Sequence, residues 1–307
     1  MSIYYIAELS ANHNGSLNRA LEIVDAIADA GASAIKLQTY TPDTMTRKGL
    51  HVYKGGLWDG TDLYDLYTEG ATPLEWHKPI FERAKQRGLE YFSSPFHPKF
   101  VSFLEDLGVH RYKIASFECT YLDLISKCAE TKKPMIISTG LASLNEITRA
   151  YQTVRTFGGS EVDLSFLKCT SSYPAPESDS NLRTIEDLIY RFPDCTVGLS
   201  DHTLGIAPAI ASVALGGRII EKHVTLKRED GGIDSKFSLE PDEFKEMIRS
   251  CDQVLEAMGN VKYGPTNSDR HNLILRRSIH NVGGKDLILR PSNGTPLPDH
   301  VTGDENE

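Results

Sequence analysis

Short runs of β-branched and aromatic residues alternate with amphipathic segments of helical period from the N-terminus to Leu226. The runs are "IYYIAEL" (3–9), "AIKLQTY" (34–40), "YFSSPF" (91–96), "YKIAS" (112–116), "PMIISTG" (134–140), "LSFLKCTSS" (164–172), "TVGLSD" (196–201) and "RIIEKHVTL" (218–226). Parallel strands need long crossover connections, which helices supply, so this alternation is the signature of βα units around a parallel sheet. Eight such units predict an α/β chain folded as a (β/α)8 TIM barrel. In the first connection, "SLNRALEIVDAIADAGA", Ser16 is placed to cap the helix and Gly31 to stop it.

A barrel of about 250 residues plus a short appendage uses up the 307 residues. After "DEFKEMIRSCDQVLEAMG" the chain turns polar at "NVKYGPTNSDRHN". The expected division is therefore a barrel over 1–262, a linker over 263–275 and a C-terminal segment over 276–307, too short for a core of its own and ending in the acidic "GDENE". With 40% hydrophobic and 24% charged residues the composition is that of a soluble globular protein. A net charge of −9 argues against nucleic acid or an anionic membrane as partner, since both require a basic footprint. A small anion remains compatible, because a local lysine cluster can oppose the overall charge. The five cysteines are odd in number and show no CxxC spacing, as expected of reduced thiols in a cytoplasmic protein. The start "MSIYYIAELS" lacks a signal-peptide pattern, and no run approaches the ~18 apolar residues of a membrane span.

Catalytic groups of such barrels sit at the C-terminal ends of the strands. Polar residues collect there: Glu8, Lys36, Ser93 and Ser94, Lys113 with Ser116 and Glu118, Ser138 and Thr139, Thr170 and Ser171, Ser200 with Asp201 and His202, and Glu221 with Lys222 and His223. His202 and His223 fall on neighbouring strands at one barrel mouth, where their imidazoles can converge on an ion. Two nitrogens in oxygen-rich surroundings suit Mn²⁺ or Mg²⁺ with open positions better than a closed structural zinc. Lys36, Lys113 and the serines combine positive charge with hydroxyl donors, the pairing used to hold phosphate. Either lysine is alternatively a Schiff-base nucleophile, as in barrel aldolases. Glu8, Glu118, Asp201 and Glu221 are candidates for activating water or relaying a proton, and the residues alone do not choose among them. No P-loop, dinucleotide fingerprint or GxSxG elbow occurs. The long connection 41–72, with "HVYKGGLWDGTDLYDLY", is expected to wall the substrate pocket.

These motifs carry a family resemblance. "IAELSANHNGSLNRAL", "KLQTYTPDTMT", "FSSPF", "YKIASFE", "STGLA", "LKCTSSYP", "GLSDHTLG" and "ALGGRIIEKHVTL" resemble, in this order, the sialic acid synthase family over nearly all of residues 1–260. Within it, "KGGLWD" and "DSKFSL" are similar to the pseudaminate branch. The resemblance implies a cytoplasmic transferase serving cell-surface and flagellin glycans. Its reaction would be a metal-dependent condensation of phosphoenolpyruvate with an amino-sugar aldehyde, here 2,4-diacetamido-2,4,6-trideoxy-L-altrose, giving a nine-carbon 2-keto acid and phosphate by C–O cleavage. By motif position it implies His202 and His223 as ligands of Mn²⁺, with Mg²⁺ or Co²⁺ as substitutes. It places Lys36, Ser94, Lys113, Ser116, Ser138, Ser171 and Ser200 at phosphoenolpyruvate, Glu8 and Glu118 at the reacting centre, and Asp234 at the sugar. It further implies a homodimer in which a C-terminal antifreeze-like (SAF) domain reaches the partner's barrel. "RRSIHNVGG" and "ILRPSNG" resemble parts of that domain, so 276–307 is expected to be a shortened SAF remnant carrying Arg290 at the position of a substrate-contacting arginine. The alternatives are an N-acetylneuraminate or legionaminate synthase, and a poorly active paralogue serving as a binding or partner subunit.

Overall fold

The computed structural model describes residues 2–292 and 294–296. Its strands are β1 (Tyr4–Glu8), β2 (Ala34–Thr39), β3 (Glu90–Pro95), β4 (Tyr112–Ile114), β5 (Met135–Ser138), β6 (Leu164–Cys169), β7 (Thr196–Asp201) and β8 (Ile219–His223). They pair in parallel, in chain order, and close into a barrel where β8 meets β1. The expected eight-stranded barrel is thus the fold. The first helix, Leu17–Ala30, shows how the local sequence builds it. Ser16 accepts a hydrogen bond from the Arg19 amide at 3.3 Å, and Gly31 ends the helix with φ 95°, a left-handed conformation that glycine adopts at little cost. Ala20, Ile23, Val24, Ile27 and Ala30, one stripe at helical spacing, are buried.

Register fixes what meets at the mouth. Glu8 lies opposite Lys36 on one side and opposite His223 on the other, and Ser200 lies opposite Glu221. Because strand side chains alternate, the neighbours of Ser200 and Glu221 turn to the other face. There Lys222, with no exposed surface, donates to Asp201 Oδ2 at 2.8 Å and to the Thr203 carbonyl at 2.6 Å. Asp201, a substrate candidate in the sequence, also accepts from the Thr203 amide at 2.9 Å and so braces the turn that carries His202.

Connection 41–72 contains the helices Pro42–Met45 and Leu63–Gly70 and the 3-10 turn Gly56–Trp58. The last barrel helix is Pro241–Met258, and the compact unit ends with it, four residues before the expected boundary. In the second unit, the expected linker contains a 3-10 helix, Arg270–Leu275. β9 (Ser278–Val282) and β10 (Lys285–Leu289) then form an antiparallel hairpin. The acidic tail and the rest of 297–307 lie outside the described residues. Among the described residues no helix is long and apolar enough to cross a membrane, and all five cysteines are free.

Replacing Lys222 by Met leaves Asp201 buried and unpaired, which is expected to cost about 3–5 kcal/mol of unfolding free energy. Urea titration measures this, and a loss below about 1 kcal/mol would show that water or a new partner compensates Asp201.

Candidate active site

Two lysines and two glutamates occupy the dry centre of the barrel mouth. Lys36 pairs with Glu8, and its Nζ lies 3.1 Å from Glu221 Oε2. Lys113 Nζ lies 3.6 Å from Glu221 Oε1 and donates to Ser138 Oγ at 2.7 Å. Ser200 donates to Glu221 Oε1 at 2.9 Å. All six side chains are buried. Burial acts first on each of the four charged groups, and their mutual charges then separate them. Glu221, facing both lysines, is held well below the usual carboxylate range despite its burial. Glu8 is raised, because desolvation and the Glu221 charge outweigh the help of Lys36. For Lys36, the two carboxylates outweigh burial and keep the ammonium charged. Lys113 is lowered, chiefly by desolvation.

Around this cage are hydroxyls with unmade hydrogen bonds. Ser94 Oγ and Ser171 Oγ are buried and have no partner among the described residues. Ser116 Oγ accepts from the Gly140 amide at 3.2 Å. Gly140 is required by this closeness: a Cβ there would stand 2.8 Å from Ser116 Oγ and closer still to Ser171 Oγ. Buried donors left unsatisfied are costly, and beside two lysines they form a cradle for a phosphate or carboxylate.

His202 and His223 do converge, with ring centroids 5.2 Å apart. His202 Nδ1 lies 2.9 Å from the Thr170 carbonyl, which only accepts, so Nδ1 carries a proton and Nε2 is the ring nitrogen left to face an ion. Ligand histidines are oriented by this kind of carbonyl contact. His223 Nδ1 is buried without a hydrogen-bond partner, 3.6 Å from Asp234 Oδ2. Desolvation first, then His202 and the nearby lysines, hold His223 neutral. An orphaned neutral nitrogen beside a carboxylate fits a divalent cation, with only two nitrogen donors supplied. Among the described residues no group of three or more His, Cys, Asp or Glu forms a closed ligand set.

Asp234 accepts from Ser10, whose hydroxyl also receives a hydrogen bond from Gln38 Nε2 at 3.1 Å. Gln38 Nε2 donates to Glu8 Oε1 at 3.0 Å as well, so a polar chain joins Glu8 to Asp234 and His223. Beside the two histidines, Cys169 Sγ sits 3.8 Å from His202 Nδ1. Its burial pushes the thiol up, but His202, Ser116 and Lys113 bring it down to about 7. None of Ser10, Gln38, Gly140 and Cys169 was picked out from the sequence. Alternation could have found Ser10 and Gln38, since each stands two residues beyond a chosen inward residue, Glu8 or Lys36.

A cleft opens above the cage. Its floor includes Gln38, His223 and Asp234, and Glu118 stands in its side with Oε2 buried and unpartnered. Desolvation raises the Glu118 carboxyl to about 7, against the pull of Lys113. Connection 41–72 lines the cleft, as expected, through Met45, Tyr53, Trp58, Leu63, Leu66 and Tyr67. Arg290 belongs to the second unit, where it follows β10 and is exposed.

The NeuB family model matches residues 23–263. A pseudaminic acid synthase of Campylobacter jejuni is 44% identical over 288 residues, 93% of this chain and 82% of that protein. An N,N'-diacetyllegionaminic acid synthase of Legionella pneumophila is 34% identical over 310 residues, 96% of this chain and 87% of that protein. The crystal structure of an N-acetylneuraminic acid (sialic acid) synthetase from Leptospira borgpetersenii superposes with a TM-score of 0.80 at 30% identity, covering 89% of this chain and 90% of that one.

Gly140→Ala is expected to push Ser116 and Ser171 apart and to weaken inorganic phosphate binding at least about tenfold, or ~1.4 kcal/mol. Calorimetric titration reads the affinity, and an unchanged value would remove these hydroxyls from the anion cradle.

Proposed function

The chain belongs to the NeuB family of sialic acid synthases, and from that footing we propose that it is a transferase condensing phosphoenolpyruvate with 2,4-diacetamido-2,4,6-trideoxy-L-altrose to yield pseudaminic acid and phosphate. One observation carries the reading: the unpartnered hydroxyls and two lysines of an anion cradle share a barrel mouth with a neutral, unpartnered histidine nitrogen. The identity of 44% to a protein named for that product supports this sugar over the legionaminate precursor, whose named synthase is 34% identical.

In this reading Lys36 and Lys113 balance the phosphate and carboxylate charges of phosphoenolpyruvate, while Ser94, Ser116 and Ser171 donate to its oxygens. The cleft holds the open-chain sugar with its aldehyde toward C3 of phosphoenolpyruvate. As the C–C bond forms, the aldehyde oxygen takes a proton from Glu118, whose raised carboxyl can still be protonated near neutral pH. Positive charge then develops at C2. Glu8, in hydrogen-bond contact with Gln38, accepts a proton from the water that adds there. The tetrahedral adduct collapses by breaking the bond from C2 to the bridging oxygen, so phosphate leaves with that oxygen, and the C2 hydroxyl loses its proton to give the ketone. A divalent cation, Mn²⁺ first among them, would be held by His202 and His223 and would supply Lewis acidity toward the aldehyde.

Phosphate release from phosphoenolpyruvate with Mn²⁺ tests the proposal, with the altrose sugar, the legionaminate precursor and N-acetylmannosamine as separate arms. Release driven by the altrose sugar is expected. Release driven only by another arm reassigns the substrate. His223→Ala is expected to weaken Mn²⁺ binding by at least about a hundredfold, or ~2.7 kcal/mol, and paramagnetic resonance of free Mn²⁺ reads this without turnover. For Glu118, kcat/KM should fall as pH rises through about 7, where its acid form is lost. Glu118→Gln should lower kcat/KM and abolish that step in the pH profile. A variant that keeps the step assigns it to another group.

A further inference from the structure

The cleft has two unlike sides. Its floor is polar, made by Ser10, Gln38, His223 and Asp234 at the strand ends. Connection 41–72 supplies a wall that is largely hydrocarbon and aromatic, including Met45, Trp58, Leu63 and Leu66. The indole N–H of Trp58 donates to the Ile233 carbonyl at 3.3 Å and is not free for a ligand. The ring is also fixed against Tyr53, edge-on at 5.4 Å between centroids, and against Tyr173 at 5.7 Å. Among the described lining residues of 41–72, the phenol groups of Tyr53 and Tyr67 are the hydrogen-bonding side chains left over. A free hydroxyl carried into this wall gives up its water for few partners, whereas a methyl gains by leaving water.

Resting on the function proposed above, we infer that the wall of Met45, Trp58, Leu63 and Leu66 determines specificity at the distal end of the aldehyde. It accepts an amino sugar whose far carbons bear methyl-containing groups, a terminal methyl and an N-acyl methyl, and penalises a sugar with free hydroxyls there. Trp58 is the anchor of the wall because it ties the connection to the loop after β8. The selectivity such a wall can provide is on the order of a hundredfold, the range hydrophobic pockets reach for small apolar groups.

The test compares kcat/KM for 2,4-diacetamido-2,4,6-trideoxy-L-altrose and for N-acetylmannosamine in the full chain and in Trp58→Ala and Leu66→Gln. Both positions are half-exposed, so neither substitution opens the barrel core, and thermal melting confirms folding. In both variants, kcat/KM for the deoxy sugar should fall at least tenfold while KM for phosphoenolpyruvate stays within twofold. The preference over N-acetylmannosamine should shrink by the same order. Deoxy-sugar kcat/KM within twofold of the parent in both variants overturns the inference, as does an equal loss for the two sugars. A parent chain inert toward both sugars overturns the proposed function, and this inference with it, an outcome visible before any variant is made.

Discussion

Everything at the barrel mouth depends on holding Lys36, Lys113, Glu8 and Glu221 together out of water. Four ionisable groups in a dry space would be ruinous singly, and they persist because each has an opposite charge within reach. Strand register sets this arrangement: Glu8 stands directly opposite Lys36 and His223, and the two-residue alternation points all three inward. The separation of the two glutamates follows from position. Glu221, facing both lysines, stays ionised, while Glu8, with one lysine and a rival carboxylate, is available to take up a proton.

The cage is incomplete as it stands. Ser94, Ser171, Glu118 and His223 each keep a buried polar atom without a hydrogen-bond partner among the described residues. Orphans of this kind are uncommon in native proteins, and their convergence at one mouth is the arrangement of a site built around a ligand. Anionic oxygens would satisfy the serines and lysines, and a cation would satisfy the histidine. A condensation that brings an enol phosphate against a carbonyl uses both halves at once. In the proposed reaction the apolar wall would add the remaining element, a face for the part of the aldehyde that does not react.

The barrel itself was legible in the sequence because each strand is a compact β-branched run and each helix an amphipathic one, so local pattern and topology agree. Ser16 and Gly31 were readable for the same reason, as caps with local chemistry. The inward cluster was legible in large part, since polar residues at the ends of otherwise apolar strands stand out. Asp201 shows where that reading fails. It sits between Ser200 and His202, and only strict alternation places it on the outer face with Lys222. Ser10 and Gln38 lie two residues beyond Glu8 and Lys36, where alternation points to the mouth, but the bonds that give them a role join partners 28 or more positions away. The contact of Trp58 with Ile233 spans 175 positions and leaves no local trace.

In the proposed reaction this mouth delivers water to C2 of phosphoenolpyruvate while its cradle holds the phosphate by its oxygens. Phosphoenolpyruvate labelled with ¹⁸O in the bridging position tests it most directly, with mass spectrometry of both products. The expected result is that the label leaves in inorganic phosphate and the new ketone oxygen comes from solvent. Label retained in the keto acid would mean cleavage at phosphorus, and would contradict the roles assigned to Glu8 and to the water at C2.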